Sequence, residues 1–167
     1  VCGIGPEIIA QAFAQQPDLL RGCCVIGDAA VLRRATQQLG LPLQIVDCTE
    51  PQAALTATPG QILIMKPAFQ AEKSAWTAID SEALLALPIG HISATAGAFA
   101  AACVRTGAAL ALRGKVAALV TAPLHKEALS AAGVAFPGHT ELLQAEAAAH
   151  QGVALTQMPV RMMLAND

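Results

Sequence analysis

Short apolar runs that alternate with helical segments constrain the fold of this chain more than any other feature. One such helical segment covers residues 29–39, where Asp28 can cap the first turn and Gly40 can end the last one. Strands that alternate with helices predict βα units and a mostly parallel sheet with helices on its faces. The runs that predict buried strands are residues 23–26, 43–46, 62–64, 116–120 and 160–164.

The remaining helices are predicted from periodicity and from their end signals. The first begins at the sequence GPE, where Pro6 suits the first helical position and Glu7 the positive end of the helix dipole. A long Ala-rich helix extends from Ser93, its N-cap, to Arg113, and Gly114 ends it. Shorter helices are predicted at residues 80–87, 125–132 and 140–150, the last with Thr140 as its cap.

Composition excludes several classes of protein. Hydrophobic residues make up 54% and charged residues 13% of the chain, which is incompatible with disorder. A net charge of −2 without a basic run argues against nucleic-acid binding. Arg105 and Lys115 interrupt the longest apolar stretches, so we expect no membrane partner. Five cysteines without CxxC spacing favour reduced thiols over disulfides or structural zinc. With no signal peptide before the first helix, we expect a cytoplasmic protein.

Candidate chemistry follows the predicted strand at residues 116–120, because ligands of open α/β sheets bind beyond the carboxyl ends of strands. The segment TAPLHK at residues 121–126 leaves this strand and ends on Lys126, at the start of a helix. The helix dipole alone disfavours a cation there. Lys126 therefore indicates an anionic partner such as a phosphate or a carboxylate, although a solvated surface lysine is the alternative.

The second candidate segment is PGHTE at residues 137–141, whose Gly138 comes twelve residues after Lys126. Gly138 permits close backbone approach, and His139 is presented at a helix N-terminus, where free N–H groups attract anions. Taken alone, such a turn is more often structural. Paired with the Lys126 loop, it predicts a binding site. The turn GIGP at residues 3–6 lacks the spaced glycines of a dinucleotide fingerprint.

Together these motifs resemble the 4-hydroxythreonine-4-phosphate dehydrogenase family of pyridoxine biosynthesis. GIGPE at residues 3–7 is similar to the end of that family's opening motif, and TAPLHK to its T-G/A-P-x-x-K loop. PGHTE is similar to its GHTE segment, and VRMML at residues 160–164 to the strand that follows. The resemblance covers the chain in order, and the lysine loop with GHTE at fixed spacing is its most specific part.

The resemblance implies an isocitrate/isopropylmalate dehydrogenase-like fold, a three-layer α/β unit that is incomplete here. It implies oxidation of 4-phosphooxy-L-threonine with NAD or NADP to a β-keto acid, which decarboxylates to 3-amino-2-oxopropyl phosphate. A divalent metal (Zn, Mg or Co) would hold the substrate hydroxyl. His139 and Thr140 match the family's substrate-binding pair. Lys126 matches by motif, so charge stabilisation or proton transfer by it is our inference. A homodimer is also implied.

The sequence departs from the family at both ends. The three metal-binding histidines of the family come after the segment at residues 160–164, so residues 1–167 are expected to be a partial unit, the N-terminal half. None of His91, His125, His139 and His150 is assigned to the metal. At the other end, Val1-Cys2 stands where Pro-Ala is usual. We expect the chain alone to reduce no NAD.

Two alternatives to this function stay open on the sequence. A related dehydrogenase of four-carbon acid-sugar phosphates, threonate or erythronate 4-phosphate, would need the same motifs. A non-catalytic binding domain would account for the missing metal ligands. A generic nucleotide-binding module is less favoured, because neither a P-loop nor a GxGxxG element is present.

Overall fold

The computed structural model describes residues 2–68 and 79–163. Within these residues it has the mixed α/β composition that the sequence predicts. The elements in chain order are α1 (Gly5–Gln15), β1 (Cys24–Ile26), α2 (Ala29–Gln38), β2 (Gln44–Asp47), β3 (Gln61–Met65), α3 (Ser81–Ala86), α4 (Ala94–Leu112), α5 (Lys126–Ala131) and α6 (His139–Gln151), with 3-10 turns at Pro51–Thr56 and Leu155–Gln157.

The described strands form one parallel sheet in the order β1-β3-β2. Neighbouring side chains of a strand point to opposite faces of the sheet. On one face, Ile62 and Ile64 of the central strand pack into a buried cluster with Ala10 of α1 and Leu32 of α2. Leu63 therefore faces the other way, on the side opposite α1 and α2. The parallel sheet is confirmed, with helices α1 and α2 covering one face.

Two cysteines meet across the central strand of this sheet. Sγ of Cys24 in β1 and Sγ of Cys48, directly after β2, are 3.7 Å apart. Burial, followed by the neighbouring Cys48, raises the pKa of Cys24 to about 12. All five cysteines of the chain are free thiols.

Side-chain caps fix the starts of three helices where the sequence predicts them. Asp28 accepts from the backbone N–H groups of Ala30 and Val31 at 2.9 and 3.0 Å and begins α2. Asp80 begins α3 and Ser93 begins α4 in the same way. Because these signals are local, the predicted helices are confirmed to within a residue or two.

Two predicted strands are wrong. Residues 116–120 and residues 160–163 pair with no strand in the described part of the chain, and residue 164 lies outside it. Val120 is 93% exposed and Met163 is 91% exposed. A strand needs a neighbour to bond its N–H and C=O groups, and apolar composition alone does not supply one.

Helix α4 is the platform for the two C-terminal helices. By length and composition it could cross a membrane, yet half of it is buried within the structure, where it packs on α5 and α6. A Cβ added at Gly97 would lie 1.9 Å from the carbonyl oxygen of Ala128, so α4 touches the backbone of α5 directly. Arg105 pairs with Glu146 of α6 at 3.2 Å. This packing is that of a core helix.

Candidate active site

The lysine loop lies against the N-terminal glycine turn. A Cβ added at Gly5 would lie 3.3 Å from the Cβ of Ala122, so the two backbones approach closely. The N–H of Gly90 donates to the carbonyl of Cys2 at 2.8 Å, which brings a third loop to the same place. The GIGP turn thus helps to shape this loop cluster, and close packing against Ala122 accounts for the glycine at position 5.

Lys126 is the first residue of α5 and is exposed. The backbone of Lys126 is held in place because Ala128 and Leu129 of the same short helix are buried. The absence of a side chain at Gly97 lets α4 support the Ala128 backbone directly. Lys126 therefore starts a short helix that packs on α4, and its ammonium group forms no ion pair with the residues that the structure describes.

The segment at residues 137–141 begins α6 beside Lys126. Gly138 is buried and forms the N-cap, and His139 is half-buried as the first helical residue. Thr140 is exposed in the first turn, so its predicted role as the cap is wrong. No side chain in the described residues caps this end of α6. Its free N–H groups are therefore available to an anion.

Gly138 is the point where the two segments meet. A Cβ added there would lie 3.8 Å from Cε of Lys126 and 3.6 Å from Oε2 of Glu141. Both are ordinary van der Waals distances, so the side chains of Lys126 and Glu141 lie beside Gly138 at the start of α6. The structure thus places the end of the Lys126 side chain beside Gly138, which directly precedes His139 and Thr140, the two residues that the sequence selects for substrate binding.

Helix α6 is held in this position by its other face. Leu142 is fully buried, and Glu146 accepts from Nε of Arg105 at 3.2 Å, with both side chains less than one-fifth exposed. A partly buried, charge-assisted contact of this kind fixes orientation better than an exposed pair. The start of α6 is therefore anchored on the same helix as α5.

None of the other three histidines lies within 4 Å of the position that a Cβ of Gly138 would take. Nδ1 of His91 lies 3.2 Å from the carbonyl of Ile89 in its own exposed loop. His150 is exposed at the opposite end of α6, and His125 precedes α5. Across residues 2–68 and 79–163, no group of three or more His, Cys, Asp or Glu side chains is arranged to hold a metal ion.

Two residues of the site were not selected from the sequence. Glu141 was noted only as an acidic residue of a first helical turn, and its approach to Gly138 needs the folded geometry. Gly97 appears in the sequence as one small residue of an Ala-rich helix. A glycine inside a strong helical pattern is itself a signal of close packing, and it could have been used.

Comparison with known proteins gives one family for this chain. The model of the family described as pyridoxal phosphate biosynthetic protein PdxA matches residues 20–167. A 4-hydroxythreonine-4-phosphate dehydrogenase of Beijerinckia indica is 39% identical over 166 residues, which are 99% of this chain and 42% of that protein. A D-threonate 4-phosphate dehydrogenase of Salmonella typhimurium is 42% identical over 144 residues, 84% of this chain and 39% of that protein.

Solved structures give the same result. The crystal structure of 4-hydroxythreonine-4-phosphate dehydrogenase from Klebsiella pneumoniae is 37% identical, with a TM-score of 0.68 over 87% of this chain and 40% of that one. A 4-hydroxythreonine-4-phosphate dehydrogenase from Burkholderia phymatum is 33% identical, with a TM-score of 0.70 over 92% and 41%. The chain spans about two fifths of the length of the relatives it matches.

Proposed function

Because the chain belongs to the PdxA family of pyridoxal phosphate biosynthetic proteins, we propose that it forms the substrate-binding part of a dehydrogenase for 4-phosphooxy-L-threonine. The secondary alcohol of this substrate loses a hydride to NAD or NADP and a proton to a base, and the resulting β-keto acid releases carbon dioxide. The other product is 3-amino-2-oxopropyl phosphate. The observation that supports this proposal is the meeting of Lys126 with the start of α6 at Gly138.

His139, Thr140 and Lys126 can bind different groups of an anionic, hydroxylated ligand. The imidazole of His139 and the hydroxyl of Thr140 bond the substrate hydroxyl or carboxylate, and the free N–H groups of α6 attract its negative charge. Lys126 contributes a compact positive charge on a flexible side chain. It either stabilises the substrate anion or moves a proton during oxidation.

The metal and the nicotinamide group are assigned no ligands in this chain. A divalent ion of Zn, Mg or Co in the complete enzyme would hold the hydroxyl and make it more acidic. The described residues do not fit such an ion, because they contain no group of three ligands. For this reason we expect the chain alone to be inactive.

We further propose that the complete enzyme is a cytoplasmic homodimer with an isocitrate dehydrogenase-like arrangement.

A second substrate class is favoured by one specific observation. The 42% identity to a D-threonate 4-phosphate dehydrogenase is as high as that to the 4-hydroxythreonine-4-phosphate relatives. Both substrates carry a phosphate, a carboxylate and a secondary alcohol, which His139, Thr140 and Lys126 would bind equally well. Product analysis with each substrate, using the complete protein, distinguishes them. Turnover of the sugar acid alone would refute our first choice.

The assigned site is tested by His139→Asn in the complete protein. We expect this substitution to remove a hydrogen bond to a charged group and therefore to lower kcat/KM roughly 10- to 100-fold. His150→Asn is the matched control, because it removes an imidazole from the exposed far end of the same helix. The site assignment fails if the two variants retain the same activity as the unmodified enzyme.

A further inference from the structure

Glu141 lies at the candidate site but has no task in the function proposed above. It is the third residue of α6 and is exposed. Its Oε2 and Cε of Lys126 lie 3.6 and 3.8 Å from one common point, the position that a Cβ of Gly138 would take. The two atoms are therefore separated by no more than the sum of these distances, and both lie beside the same buried glycine.

The two groups have opposite charge and are close without being bonded. The ion pairs in the described residues are Arg33–Asp47 and Arg105–Glu146, so Nζ of Lys126 lies more than 4.0 Å from the carboxylate oxygens of Glu141. Attraction at such a separation restricts where the lysine ammonium goes, while leaving its hydrogens free for another acceptor. Without a nearby carboxylate, an exposed lysine samples many rotamers, and ordering it on binding opposes binding.

We propose that Glu141 is a positioning residue, which holds the Lys126 ammonium over the N-terminus of α6 where the substrate anion binds. This inference rests on the proposed function. It predicts that the effect of removing the Glu141 carboxylate on substrate binding depends on whether Lys126 is present. The Glu141 carboxylate by itself repels an anion, so it helps binding only through Lys126. In a variant in which a neutral residue replaces Lys126, removing the Glu141 carboxylate no longer weakens binding of the substrate anion and instead improves it slightly.

A purely structural role for Glu141 leads to a different result. An acidic residue in a first helical turn stabilises the helix through its dipole whatever Lys126 does. In that case Glu141→Gln would lower thermal stability and would change activity by the same factor with or without the lysine. A positioning role instead makes the two substitutions non-additive.

The test is a double-mutant cycle in the complete protein with Glu141→Gln, Lys126→Met and the double variant. We expect Glu141→Gln to raise KM roughly three- to fivefold with little change in kcat, and to leave KM unchanged or lower in the Lys126→Met background. Glu127→Gln is the control, because it removes an exposed carboxylate next to Lys126 in the chain that does not approach Gly138. It should change KM less than twofold. Melting temperatures of the variants should differ by no more than a few degrees, as the loss of one charge in a first helical turn implies.

Each other outcome contradicts the inference in a distinguishable way. Equal effects of Glu141→Gln in both backgrounds would show that Glu141 does not act through Lys126. An effect of Glu127→Gln as large as that of Glu141→Gln would show that only net charge matters. Failure of the unmodified enzyme to oxidise either four-carbon phosphate would refute the proposed function, and this inference with it.

Discussion

Replacing Gly97 with alanine tests the contact on which the position of α5 depends. In an ordinary helix this substitution stabilises a protein by about 1 kcal/mol. Here the added Cβ would lie 1.9 Å from the carbonyl oxygen of Ala128, 2.4 Å from its carbonyl carbon and 3.0 Å from N of Leu129. Carbon and oxygen approach no closer than about 3.3 Å even in weak hydrogen bonds. The two helices must therefore separate by about 1.5 Å.

That separation removes packing which no rotamer change can restore, because the atoms that clash belong to the backbone. A gap of about 1 Å forfeits up to half of the dispersion energy across it, and Leu129 is fully buried at this contact. Overpacking of this kind costs about 1–3 kcal/mol or more. We expect a net loss of roughly 2–3 kcal/mol after the gain in helix propensity. For a chain of this size, that lowers Tm by roughly 4–12 °C.

The measurement is urea and thermal unfolding of the 167-residue chain, followed by circular dichroism. Gly107→Ala in the same helix is the matched control, since its Cβ would meet Cδ1 of Leu119 at 2.6 Å and Cδ1 of Ile26 at 3.3 Å, the ends of flexible side chains. Its unfolding free energy should change by less than about 1 kcal/mol. If Gly97→Ala proves as stable as the unmodified chain, the backbone contact between α4 and α5 does not exist as described.

Four further predictions concern the stability and reactivity of the chain. Asp28→Ala removes the cap of α2 and the acceptor of the Ser81 hydroxyl at 2.6 Å, and should lower the unfolding free energy by about 2 kcal/mol, whereas Asp28→Asn keeps most of it. Arg105→Met leaves the Glu146 carboxylate largely buried and unpaired, and should cost about 2 kcal/mol in urea unfolding, while adding Glu146→Gln should recover part of the loss. Burial raises the pKa of Cys103 to about 12, so at pH 8 iodoacetamide should modify exposed Cys23 well before Cys103. Mass spectrometry can follow the modification of each cysteine, and equal rates would contradict the burial of Cys103. Because the folded chain keeps the protons of Cys24 and Cys103 that the unfolded chain releases near pH 9, its stability should fall between about pH 9 and pH 12.

Local signals made most of the helices predictable from the sequence. Asp28, Asp80 and Ser93 each cap a helix with a side-chain oxygen two or three residues before the N–H they bind, so the information lies within one turn. Thr140 failed as a cap because the preceding Gly138 already adopts an extended backbone and takes the N-cap position. Residue type alone did not distinguish these neighbouring positions.

Non-local features were predicted less well. Residues 116–120 have the composition of a strand, but strand formation also requires a partner, which the composition of one segment does not reveal. The proximity of Lys126 to the segment at residues 137–141 was predictable, because only one short helix and one loop separate them. The approach of Glu141 to Gly138 was not, since it depends on a side-chain direction and on the angle at which α6 leaves its N-cap.

The sulfur atoms that meet across β3 also determine how the sheet responds to oxidation. The two Sγ atoms are 3.7 Å apart, whereas a disulfide requires sulfur atoms about 2.05 Å apart and α-carbons within about 7 Å. Adjacent strands are about 4.8 Å apart, so β1 and β2, which flank β3, are held about two strand spacings apart. Cross-linking the pair therefore requires the chain around Cys24 and Cys48 to move closer, against the hydrogen bonds that both strands make to β3. Under oxidative stress the disulfide should form more slowly in the folded chain than in the unfolded chain, so the rate of cross-linking would report the opening of the sheet.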